Sequence, residues 1–172
     1  MASLIDTLVE VLNGENEEYQ KLLDLSKGKT DVIVKGDLNA LALITDKEQQ
    51  VVNKIAALEA KRTATMDDIA RILNTDVAGL KLNVLIDLLN KKPNEQRALA
   101  LVHDKLHATL YEMKLVNERN DQLIQSAIEM TNFNMNLIQA ARKAPETANY
   151  NRGAYNTGSQ IGVASGSFDA KQ

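Results

Sequence analysis

Residues 94–142 read NEQRALALVHDKLHATLYEMKLVNERNDQLIQSAIEMTNFNMNLIQAAR. No glycine or proline interrupts this run, and good helix formers (Leu, Ala, Glu, Gln, Lys, Arg, Met) dominate it. One unbroken helix here spans roughly 70 Å at about 1.5 Å per residue. Leu99, Val102, Leu106, Leu110, Met113, Asn117, Asn120, Ile124, Ala127, Thr131, Asn134 and Ile138 recur every three or four residues. That period predicts left-handed packing against neighbouring helices, with the rest of the chain as partner or tail.

Beyond Met113 the apolar arc widens. Val116, Leu123, Met130 and Leu137 form a second row every seventh residue, and Ile128, Phe133 and Met135 broaden it further. At 100° per residue the arc covers about half the circumference. Two readings fit such a face: a helix buried inside a bundle, or a helix that leaves part of its face for a partner protein's helix. Met130 and Met135 suit adaptable contacts as well as core filling.

Upstream, Leu4, Leu8, Val11, Leu12, Tyr19, Leu22, Leu23, Val32 and Ile33 predict a first helix over 3–35, with Ser3 as its N-cap. Gly14 and Gly28 mark where it would bend or fray. Lys35-Gly36-Asp37 reads as a stop and a start, because Gly suits the left-handed position after a helix and Asp suits the N-cap. The tight turn makes the second helix antiparallel to the first. It is expected to run from Leu38 to about Arg62 through Leu41, Ile44, Lys47, Val51, Ile55 and Leu58, with Lys47 snorkelling from the seam and a short continuation, Met66 to Leu73, after Thr63-Ala64-Thr65. A small helix around Leu82, Leu85, Ile86, Leu88 and Leu89 is expected to cap one end of the bundle. Pro93 and Asn94, as first-turn residue and cap, open the long helix.

The chain has 172 residues, a net charge of −3 and no cysteine, which excludes disulfides and thiol chemistry. No basic leader or bilayer-length apolar run is evident, and the basic residues are dispersed; the expectation is a cytoplasmic protein that neither inserts in membrane nor binds nucleic acid. No catalytic constellation emerges, so no enzyme activity, cofactor or metal is expected. His103 and His107 sit one turn apart, but no zincin or Glu-x-x-His pattern supports them. Glu15, Glu17 and Glu18 read as a solvated face, and Asp67-Asp68 as first-turn charges. From Ala144 the composition turns to Gly, Asn, Ser and Thr, giving a helical domain over 1–143 and a flexible tail over 144–172 whose aromatics, Tyr150, Tyr155 and Phe168, suit docking or simply a solvated tail.

The order of these pieces resembles the FlgN-type flagellar export chaperones. The likeness rests on Leu4-Ile5-x-x-Leu8, Lys35-Gly36-Asp37-Leu38-x-x-Leu41, a second helix ending at Arg62, Leu85-Ile86-x-x-Leu89 and Asn117-x-x-Asn120-x-x-Leu123-Ile124. It implies an all-α, elongated antiparallel bundle with one long C-terminal helix. It also implies a non-enzymatic cytoplasmic chaperone that binds hook-associated proteins through their amphipathic terminal helices, prevents premature assembly and hands them to the membrane export gate. On that reading Leu123, Ile124, Ile128, Met130, Phe133 and Leu137 are the candidate client-binding residues, and Tyr150, ahead of Tyr155, the candidate gate-docking residue. A coiled-coil adaptor or self-assembling helical protein is the rival reading, and the oligomeric state is left open.

Overall fold

The computed structural model describes residues 3–75 and 80–142. Its helices are α1 (Leu4–Lys35), α2 (Leu38–Leu73), α3 (Leu82–Leu88) and α4 (Pro93–Arg142), with a short 3-10 turn, Leu89–Lys91, after α3. The described residues contain no strand, and the expected all-α fold is the observed one. Packing divides the chain into a unit ending at Asn132 and a second beginning at Phe133, within α4.

Local chemistry sets the helix ends. Ser3 Oγ accepts the Asp6 N–H at 3.2 Å while Asp6 Oδ2 accepts the Ser3 N–H at 2.9 Å, a reciprocal cap that satisfies two otherwise orphaned donors. Gly36 adopts φ 67°, and the N–H groups of Gly36 and Asp37 return to Ile33 and Val32 carbonyls. Asp37 Oδ1 then accepts the Ala40 N–H at 2.9 Å, so α2 starts at once and folds back along α1. Gly14 and Gly28 lie within an unbroken α1. Alanine should therefore act with opposite signs at two glycines of this segment. Gly28→Ala, exposed in a helix interior with nothing within 4 Å of the added Cβ, should raise unfolding free energy by about 0.5–1 kcal/mol. Gly36→Ala, at positive φ, should lower it by about 1 kcal/mol, both read by urea denaturation.

Four local expectations are corrected. Helix α2 continues through Thr63-Ala64-Thr65 because Ile69 and Ala70 beyond them are buried in the core, and both threonine hydroxyls are satisfied by carbonyls one turn earlier at 2.9 Å. Asp67 and Asp68 are consequently mid-helix rather than first-turn residues, and Asp68 pairs with Arg71. Lys47 is exposed, while its neighbour Glu48 turns inward to Lys29. Pro93 is the first residue of α4, so Asn94 lies inside the helix; Lys92 supplies the carbonyl that accepts the Gln96 N–H.

The apolar core of the first unit gathers at the end where α1 begins. Ile5, Leu8 and Leu12 pack with Ile69, Ala70, Leu80, Leu85, Leu99, Val102 and Leu106. Helix α3 thus caps this end as expected, through the fully buried Leu85. Along α4 the buried positions are Leu99, Val102, Leu106, Thr109, Met113 and Asn120. The seam leaves the expected Leu110 and Asn117 exposed, because Thr109 finds a partner in Asn16 of α1, its hydroxyl donating to Oδ1 at 2.8 Å.

Candidate partner-binding surface

Past Leu106 the contact between α1 and α4 becomes increasingly polar. Asn120 donates from Nδ2 to the Ser26 carbonyl at 2.8 Å and accepts the Thr30 hydroxyl at Oδ1 at 2.6 Å. Ser26 Oγ donates to Glu48 Oε1 at 3.1 Å, and Lys29 pairs with the same carboxylate, so one layer ties α4, α1 and α2 together. Such directional contacts hold a helix in register while burying little apolar surface.

Beyond that layer the apolar face of α4 is largely uncovered. Leu123 and Ile124 are half-buried and Ile128 is exposed, while Met130 stands 67% exposed. Within the first unit, Ile124, Ala127, Ile128 and Thr131 form one wall of a groove of about 270 Å³; Val32, Ile33, Leu38 and Leu41, around the α1–α2 turn, form the other. In the second unit, Phe133 (66%) and Leu137 (59%) are exposed on their own helical segment. Sequence reasoning found the α4 wall through the breadth of its arc. It missed the turn wall, whose signal was the apolar pair Val32-Ile33 before Gly36 with Leu38 and Leu41 after it. Tyr150 and Tyr155, the candidate gate-docking residues, and the 144–172 tail lie outside the described residues.

Among the described residues the titratable groups form no catalytic set. His103 and His107 stack with ring centroids 6.4 Å apart, and His103 Nδ1 lies 3.1 Å from Asp104 Oδ1. Among the described residues no group of three or more His, Cys, Asp or Glu side chains could hold a metal ion. Glu15 is not on a solvated face: it is 1% exposed, with Arg62 Nε 3.2 Å from Oε1 but not aligned to donate a hydrogen bond. Burial raises its carboxyl above the ordinary value, Arg62 opposes that rise and Glu59 adds to it. Burial likewise raises Tyr19, with Glu59 and Glu15 adding to it; the Tyr19 hydroxyl donates to Glu59 Oε1 at 3.4 Å. This cluster ties α1 to α2.

Among the described residues no helix is long and apolar enough to cross a membrane. No solved structure matches the chain. A Bacillus subtilis (strain 168) protein described as uncharacterized protein YvyG is 25% identical over 134 residues, covering 77% of this chain and 76% of that protein. The sequence matches the FlgN protein family over residues 1–157, most of its length, and the chain therefore belongs to that family, one of non-enzymatic flagellar export chaperones.

Proposed function

We propose that this protein is a cytoplasmic export chaperone for hook-filament junction proteins, holding their amphipathic terminal helices before assembly and delivering them to the membrane export gate. The observation that carries the reading is the uncovered apolar face of α4 beside the groove of the first unit. A client helix that would otherwise self-associate lays its apolar stripe against Leu123, Ile124, Ile128 and Met130 of the first unit; Phe133 and Leu137, exposed on the second unit, are separate candidate anchors. The helical chaperone domain is taken as 1–143 and the tail as 144–172. Its Tyr150, more than Tyr155, is assigned to the gate, because a tyrosine ring anchors a weak, reversible contact with few rotors to freeze.

Two measurements test this. Ile128→Asp with Met130→Asp changes exposed positions, so the fold should persist while affinity for the terminal helix of a hook-associated protein falls at least about tenfold. Unchanged affinity in a variant with wild-type melting would remove these residues from the client surface. Tyr150→Ala should keep client binding and lower export of the bound protein, with Tyr155→Ala affecting it less. Normal export in both variants would take the tail out of gate docking, and lost client binding would move Tyr150 to substrate capture.

A further inference from the structure

We infer that the first unit carries a second docking surface at its other end, built for an amphipathic helix with an acidic flank. The N-terminus of α1, the end of α2, α3 and the turn after it enclose an apolar slot of about 360 Å³, lined in part by Leu4, Ile72, Leu73 and Leu88, with Lys91 and Lys92 at its rim. It shares no residue with the groove at the α1–α2 turn, so it stands independently of the client surface.

Charge selects the occupant's flank. No carboxylate lines the slot, and its only charged side chains are the two lysines. Lys92 is bonded to Glu95 at 3.2 Å, whereas Lys91 has no ion pair among the described residues. Of the nearby acids, Asp6 is engaged in the Ser3 cap, Asp68 is paired with Arg71, and Asp87 of α3 is exposed outside the slot's lining. The first turn of α1 adds the positive end of a helix dipole on the same side. An approaching carboxylate therefore meets the two lysines at the slot itself, and Lys91 is the one without an ion pair among the described residues.

Shape selects a helix. Ile72 stands 74% exposed and Leu88 is also exposed, so both rise as ridges beside the slot rather than forming its floor. An acyl chain filling the slot would leave those ridges in water. A helix, about 10 Å across, covers them and seats its apolar stripe between them.

The probe is a fluorescently labelled synthetic helix of about 20 residues with a leucine stripe and glutamate flanks, titrated into the full chain, together with a copy carrying lysine for glutamate. The acidic peptide is expected to bind at least about tenfold more tightly than the basic one, and Lys91→Glu should narrow that difference. Ile72→Asp, at an exposed position, should weaken binding about tenfold without changing melting, and should do so equally in an Ile128→Asp background, where the client surface proposed above is blocked but binding at the slot persists. Equal affinity for the two peptides, or no effect of Ile72→Asp, would overturn the inference. Loss of binding in Ile128→Asp would place the peptide in the other groove, and displacement by oleate at lower concentration than by unlabelled peptide would make the slot an acyl site; either result overturns it.

Discussion

Leu99→Ala is expected to lower the free energy of unfolding by about 3 kcal/mol, read by chemical denaturation at neutral pH. Leu99 has no exposed surface and belongs to the cluster that joins Leu8 and Leu12 of α1, Ile69 of α2 and Leu85 of α3. Truncation removes its apolar transfer energy and leaves a cavity that several helices would have to shift together to close. Leu85 and Leu99 are the points at which α3 and the start of α4 are held to the α1–α2 pair, so the loss should also let this end open ahead of the rest and broaden the transition. Ile128→Ala, an equally large truncation on the same helix but at an exposed side chain, should change stability by less than about 1 kcal/mol. That contrast separates the part of α4 that builds the fold from the part that other helices leave uncovered. A cost below about 1 kcal/mol at Leu99 would mean that the core does not lie where the helices converge on α3.

The features legible from sequence are those decided within one or two turns of chain. Ser3 with Asp6, and Gly36 with Asp37, act through backbone groups three or four residues away, so their caps and the antiparallel turn follow from the residues themselves. The misplaced features depend on distant partners. Leu110 is the more apolar choice for the α4 seam, yet Thr109 is buried because its hydroxyl reaches Asn16, 93 positions earlier. Glu15 looks solvated beside Glu17 and Glu18 until Arg62 comes in from α2. The groove of the first unit divides the same way: the breadth of the α4 arc pointed to Ile124 and Ile128, whereas their facing wall, Val32 to Leu41, exists only once α1 and α2 fold back on each other. Periodicity gives the angular width of an apolar face, but not how much of it other helices cover.

Arg62→Met is expected to cost about 2 kcal/mol at neutral pH and almost nothing in acid. Removing one member of a buried ion pair typically costs about 3–5 kcal/mol, and the value is discounted here because Arg62 keeps about a third of its side chain in water. Methionine retains the aliphatic stem, so the charge is what is lost. Burial already raises the Glu15 carboxyl and Glu59 raises it further, with Arg62 as the opposing influence; without the guanidinium the folded-state value rises again. A carboxyl whose folded value lies above its unfolded value favours the folded state when protonated. That contribution is fully present below the unfolded value and is lost as pH rises through the folded one. The variant's deficit relative to the parent should therefore grow as pH climbs through the Glu15 titration and fade in acid, below the parent's raised folded value, where Glu15 is protonated in both folded proteins. Adding Glu15→Gln to Arg62→Met removes the buried charge and should restore most of the neutral-pH stability while flattening the pH dependence. A deficit constant between pH 4 and 8, or one that Glu15→Gln does not relieve, would assign the role of Arg62 to packing of its stem against α1 rather than to compensating the Glu15 charge.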